Sequence, residues 1–121
     1  MTNRICNRLY IERLINDLEK LRSNPKLYLQ PVTPEALFSH LSSLALGVML
    51  TTDVLQPGDF INARREANRI SGWQSRATGP HVEMREKGMT DEQIIDEQVN
   101  VEIRMWRILE EWQVENERLE P

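Results

Sequence analysis

The hydrophobic positions of the chain fall into runs with helical spacing. Ile11, Leu14, Ile15, Leu18 and Leu21 share one face, with Glu12, Arg13, Asn16, Glu19 and Lys20 elsewhere, which predicts an amphipathic helix from about Asn3 to Arg22. Ile5 and Leu9 project to a different side, so its start is expected to touch neighbours on two sides. Ser23-Asn24-Pro25 ends it, because proline disfavours helical backbone in the residue before it. The stretch from Pro25 to Val32 reads as an extended connector between prolines, apolar enough that Leu27, Tyr28 and Leu29 are expected to pack on the core.

A second helix opens with Thr33 as N-cap, Pro34 at the first helical position and Glu35 in the first turn, where the helix dipole favours negative charge. Leu37, Phe38, Leu41, Leu44, Ala45, Val48 and Met49 form its apolar face, with Ser39, Ser43 and Gly47 opposite. Glycine inside a helix costs about 1 kcal/mol against alanine, so close approach of another backbone is expected at Gly47. Thr51 to Gly58 reads as a connection with a Pro57-Gly58 turn, and Asp59 is a candidate N-cap. A third helix follows from about Phe60 to Ile70, with Phe60, Ala63, Ala67 and Ile70 inward and Arg64, Arg65 and Arg69 toward water. Ser71-Gly72-Trp73 and Gly79-Pro80 interrupt the chain, and His81 to Lys87 forms a short helical stretch stopped by Gly88.

The last helix has the clearest start. Thr90 and Gln93 have capping-box spacing, with Met89 and Ile94 placed for a hydrophobic staple. From Asp91 to about Arg118 it would span roughly 40 Å. Two apolar lines run along it. Ile94, Val101, Met105, Ile108, Trp112 and Leu119 make a near-heptad seam; Ile95, Val99 and Trp106, with Ile103 at the edge, make a second. Two lines require neighbours on two sides. Either other helices of the same chain cover both, or one line faces another molecule. With no alternating strand pattern and no internal repeat, the pattern predicts an all-α fold: a single-domain bundle of four to five helices over residues 1–121, with a long C-terminal helix.

Composition narrows the function. At 121 residues the chain is long enough to bury a core without disulfides or metal. Its one cysteine, Cys6, permits no internal disulfide and fits a reducing compartment. The N-terminal residues lack a secretory apolar region, and the apolar run Leu44 to Leu50 is far short of a membrane span, so a cytoplasmic location and no membrane partner are expected. The net charge of −4 is unevenly spread: residues 1–80 carry ten Lys/Arg against seven Asp/Glu, and residues 81–121 five against twelve. The halves are expected to face each other and partly cancel. A net-acidic chain also argues against sequence-independent nucleic-acid binding, which needs basic surface.

Catalytic chemistry finds little support in the residues. His40 and His81 lack ligand partners at a metal-binding spacing such as HExxH, and each reads as a lone imidazole that is exposed or hydrogen-bonded. Glu83 and Glu86 have the i, i+3 spacing of helical carboxylate metal sites, but a second inward-facing acidic set is missing from the pattern. Asp91, Glu92, Asp96 and Glu97 sit where the helix dipole explains them. Cys6 has no partner arrangement for nucleophilic catalysis, and the five glycines form no phosphate loop. The one basic and aromatic cluster is Arg64, Arg65, Arg69 and Arg76 with Trp73, which could hold phosphates and stack a base, or more simply pair with the acidic last helix.

The order of motifs resembles that of small bacterial proteins, mostly uncharacterised, with an Arg-Pro-x-Met-Tyr-Leu-Gly-like segment. The matching positions are Asn24 to Gln30, Leu37 to Gly47, Phe60 with Arg64, Gly72-Trp73, and Met89 through Trp112. Asn24, Leu27 and Gln30 replace the family's leading Arg, its Met and its closing Gly. Some proteins of this kind are similar to immunity partners of bacterial toxins, which implies a protein-binding role.

The reading that joins these features is a non-enzymatic interaction protein without cofactor, neutralising a basic, toxin-like protein or pairing with a second copy of itself. Its contact surface would be Ile95, Asp96, Val99, Glu102, Ile103, Trp106 and Glu110, with Trp106 as apolar anchor and Asp96, Glu97, Glu102 and Glu110 steering the partner. The alternative is a nucleic-acid regulator acting through Arg64, Arg65, Arg69, Trp73 and Arg76; a metal-dependent hydrolase using Glu83 and Glu86 ranks third.

Overall fold

A computed structural model describes the backbone of residues 4–51, 57–74 and 79–119, and the side chains of residues 11–50, 58–74 and 79–112. Among them are five α-helices and no strand: α1 Arg4–Ser23, α2 Pro34–Thr51, α3 Pro57–Ser71, α4 Pro80–Glu86 and α5 Asp91–Leu119, with one 3-10 turn, Pro25–Leu27. No described helix is long and apolar enough to cross a membrane. The side chains of Ile5, Cys6, Leu9 and Leu119, the start of the second connection and all of Arg76 lie outside the described residues.

Local signals place the helix ends. Thr33 Oγ1 accepts from the Ala36 amide at 3.1 Å, capping α2. At the start of α5 the capping box closes in both directions: Thr90 N donates to Gln93 Oε1 at 2.9 Å, and Gln93 N to Thr90 Oγ1 at 3.2 Å. The breaks after α3, before α4 and after α4 fall at Gly72, Gly79 and Gly88, all with positive φ. At Gly79 space matters too, since a Cβ there would lie 2.8 Å from the rings of His81 and Phe38.

Helix α5 is the hub. It packs against α1, α2, α3 and α4, whereas among the described residues those four approach one another only at isolated points. Two ties on each side show that α1 and α3 both run antiparallel to it. Arg22 donates to Asn100 while Arg107 donates to Glu12, and Arg64 meets Glu102 while Phe60 lies edge-on to Trp106. The apolar faces read from the sequence meet there: Ile11, Leu14, Ile15, Leu18 and Leu21 of α1, Leu37, Leu41, Ala45 and Val48 of α2, and Phe60, Ala63 and Ala67 of α3 are all buried. Phe38, Leu44 and Met49 are half-buried at the edge of the α2 face.

Four expectations are corrected. The connector is not extended: Tyr28 N and Leu29 N both donate to Pro25 O, a tight turn that fans out the three apolar side chains, and only Leu29 reaches the core. Gly47 is approached by no backbone, since a Cβ there would meet nothing within 4 Å. Asp59 lies within the first turn of α3 rather than capping it. On α3 the buried face turns toward Asn68 and away from Ile70, which is exposed, and Arg64 is carried with it toward α5 instead of toward water.

Candidate functional site

On α5 the two apolar lines are the edges of one broad buried arc. At 100° per residue the buried positions from Ile108 and Val101 round to Trp106 and Val99 take up about half the circumference. Between the lines lie Leu109, Gln98 and Glu102, which polarity hid from a hydrophobic reading in two of the three cases. All three are buried.

The proposed contact row is thereby covered within one copy of the chain. Ile95, Val99 and Trp106 are buried among α1, α3 and α5, and Ile103 is half-buried against the same cluster. Trp106 has no exposed surface, packs its ring edge to face with Phe60 at a centroid distance of 5.4 Å, and leaves its indole N–H without a partner. It is a core residue and cannot anchor a partner. The acidic residues separate in the same way. Glu102 is buried and receives Arg64 at 2.7 Å; Glu97 accepts the Trp73 indole N–H at 2.8 Å; Glu110 is half-buried beside Arg107. Asp96 alone of the four is exposed. Burial raises the Glu102 carboxyl above its ordinary range, opposed by the Arg64 guanidinium.

The described members of the basic cluster do not converge on a surface either. Arg64 is spent on Glu102, Arg69 on Glu66 of its own helix, and Trp73 is held by Glu97 on one side and by Lys87, 5.2 Å from its ring centre, on the other. Arg65 stays exposed. The simpler expectation, that these arginines answer the acidic last helix, holds for Arg64.

Glu83 is buried and accepts the Gln74 amide at 2.7 Å, which secures the break after α3. Among the described residues no group of three or more His, Cys, Asp or Glu side chains is placed to hold a metal ion. His81 is neither exposed nor fully bonded: it is buried against Phe38 with Nδ1 unpartnered, and burial depresses its pKa, with the Arg85 charge adding to this and the Glu35 carboxylate, 3.9 Å away, opposing. Glu35 binds Arg85, which also reaches Asp91, and that hydrogen bond holds the Glu35 pKa down to about 2.

Two concave features among the described residues bear on a binding site. A cavity of about 30 Å³ lies between α2, α3 and α5, walled by Phe38, Leu41 and Val101 with Arg64, Asn68 and Gln98 at its margin. It has room for a water or two. Asn68 Oδ1 and Gln98 Oε1 are buried there without partners, while Gln98 Nε2 donates to Pro34 O at 3.1 Å. The second is a wide open groove between the connector and the start of α5. Arg22, Pro25, Lys26 and Val32 form one wall; Asp91, Glu92, Gln93 and Asp96 form the other. The same connector exposes Leu27 (75%), Tyr28 (40%) and Val32 (39%). The sequence marked both walls, the connector as apolar and the helix start as acidic, but not that they lie side by side. No family model, curated protein sequence or solved structure matches the chain.

Proposed function

We propose that this chain is a non-enzymatic binding protein of the cytoplasm, and that a basic protein seats in the groove between the connector and the first turns of α5. The observation that carries the reading is the row of carboxylates, Asp91, Glu92 and Asp96, along one wall of the groove, faced by exposed Val32 on a short connector that also exposes Leu27 and Tyr28. An isolated exposed apolar side chain needs no explanation, but three large ones exposed within six residues, next to a charged groove, mark a contact surface. Val32 and the connector's exposed Leu27 and Tyr28 supply apolar contact area, and the acidic wall, opposite Arg22 and Lys26, favours lysine or arginine over like charge. The resemblance to toxin-immunity partners agrees with a basic, toxin-like occupant. The contact residues are therefore reassigned from the buried row on α5 to this groove, with Asp96 common to both.

The test places a photo-crosslinker at position 32 and, separately, at 96, in cells of the host, with position 65 as control. One and the same basic protein should be captured from both walls and not from the control. After purification it should bind the parent chain, and Glu92→Lys with Asp96→Lys should weaken that binding roughly tenfold or more, with the loss shrinking at high salt. Failure to capture a common protein, capture of an acidic one, or binding indifferent to the charge reversal would each refute the proposal.

A further inference from the structure

Helices α3 and α5 meet in an antiparallel register whose rungs recur every fourth residue on both. Phe60 lies edge-on to Trp106, and Arg64 reaches Glu102. One turn further on, the same register sets Asn68 opposite Gln98. The first two rungs are complementary pairs. The third is not: Asn68 Oδ1 and Gln98 Oε1 are both acceptors, both buried, and neither receives a hydrogen bond from a described group. Gln98 cannot turn its amide round to help, because Nε2 donates to Pro34 O at 3.1 Å and the reversed amide would set oxygen against oxygen. Both residues line the cavity of about 30 Å³ between α2, α3 and α5.

We propose that this cavity binds a neutral molecule with two hydrogen-bond donors, and that the molecule is water, giving one hydrogen to Asn68 Oδ1 and the other to Gln98 Oε1. Size decides the class. A water needs about 10–15 Å³ of such space, whereas a benzene-sized ligand takes a cavity of about 150 Å³. One water therefore fits with room for a second beside it, and an organic ligand does not. Charge excludes an ammonium or metal ion: Glu102, the carboxylate that lines the cavity, is already bonded to Arg64, and the guanidinium lining the same space repels a cation. Ser42 and Arg64, which also line the cavity, carry donors for the water's own oxygen, completing the three bonds usual for a buried water. The bridge joins three helices at one point. Gln98 on α5 holds Pro34 of α2 through its nitrogen and, through the water, Asn68 of α3, where α2 and α3 otherwise touch sparingly among the described residues.

The experiment is magnetic relaxation dispersion of the solvent oxygen nucleus over the purified chain, which counts waters held for longer than the protein takes to tumble. Asn68→Leu has nearly the same size and no acceptor. It should remove about one water or more from the parent's count. It should also lower the melting temperature by about 4 °C or more, since Gln98 Oε1 is left buried without a donor. Asn68→Asp keeps an acceptor at the same place. It should retain the water while also melting below the parent, so that loss of stability and loss of the water are told apart. Circular dichroism checks that both variants fold. A count that is equal in the parent and Asn68→Leu, or that falls in both variants alike, overturns the proposal. So does a parent without any long-lived water, which would mean that the two amides bond each other directly.

Discussion

Replacing Trp106 by alanine separates a core tryptophan from an interface anchor. The side chain is fully covered by the chain's own helices and meets Phe60 edge to face. Truncation of a buried Phe or Trp to Ala costs about 3–5 kcal/mol, combining lost transfer energy with the cavity left behind. The aromatic pair accounts for about 0.5–1.5 kcal/mol of this beyond area burial. Against a total stability of roughly 5–15 kcal/mol, the loss is large enough to leave the variant marginal. In a domain of this size about 1 kcal/mol shifts the melting temperature by about 4 °C, so Trp106→Ala should melt some 12–20 °C below the parent. The midpoint in urea should fall by about 2 M. Trp106→Phe is the informative companion. It gives up part of the ring but also removes the buried unpartnered N–H, whose desolvation costs about 1–3 kcal/mol; it should stay within about 1.5 kcal/mol of the parent. Thermal and urea unfolding followed by circular dichroism at two protein concentrations reads all of this. An alanine variant that melts within about 3 °C of the parent, or a deficit present only at high concentration, would mean that Trp106 is not buried within one copy.

Two further perturbations address the buried ionisable groups. Arg64→Met leaves the Glu102 carboxyl buried and unpaired and should cost about 3–5 kcal/mol near neutral pH. Because burial raises the Glu102 pKa, the native state holds that proton more tightly than the unfolded chain does. This contribution is fully present below the ordinary carboxyl pKa and is lost as pH rises through the raised value. The Arg64→Met deficit should therefore shrink as pH is lowered toward the ordinary carboxyl range and disappear into a flat profile when Glu102→Gln is added, as urea titrations at several pH values would show. For His81 the sign is reversed. Its pKa is depressed by burial, so its contribution is present above the unfolded pKa of about 6.5 and is lost as pH falls through the depressed value. His81→Leu should flatten the part of the stability curve between about pH 5 and 6.5, measured by calorimetry above pH 5, where Glu35 stays ionised. A slope equal to the parent's would show that His81 titrates normally.

The features legible in the sequence are those encoded within a turn or two of chain. The Thr33 and Thr90 caps, the proline and glycine breaks, and the inner faces of α1 and α2 depend on neighbours three or four residues away. The two apolar lines on α5 correctly required two sets of neighbours. Periodicity does not encode whether those neighbours belong to the same chain, and here they do. Polarity concealed the rest: Gln98 and Glu102 sit inside the buried arc because Pro34 O and Arg64, distant in sequence, answer them. The groove escaped for a related reason, since its walls are separated by some sixty residues and only the fold brings them together.

The star-shaped packing around α5 bears on how the protein comes apart. Helices that touch one another sparingly but share a single central strut depend on that strut alone: α1 or α3 can detach without loosening the other, but neither keeps its inner face dry once α5 leaves. Backbone amides in the middle of α5 should then be the slowest to exchange with solvent deuterium, and those of α1 and α3 should exchange through separate openings of lower free energy.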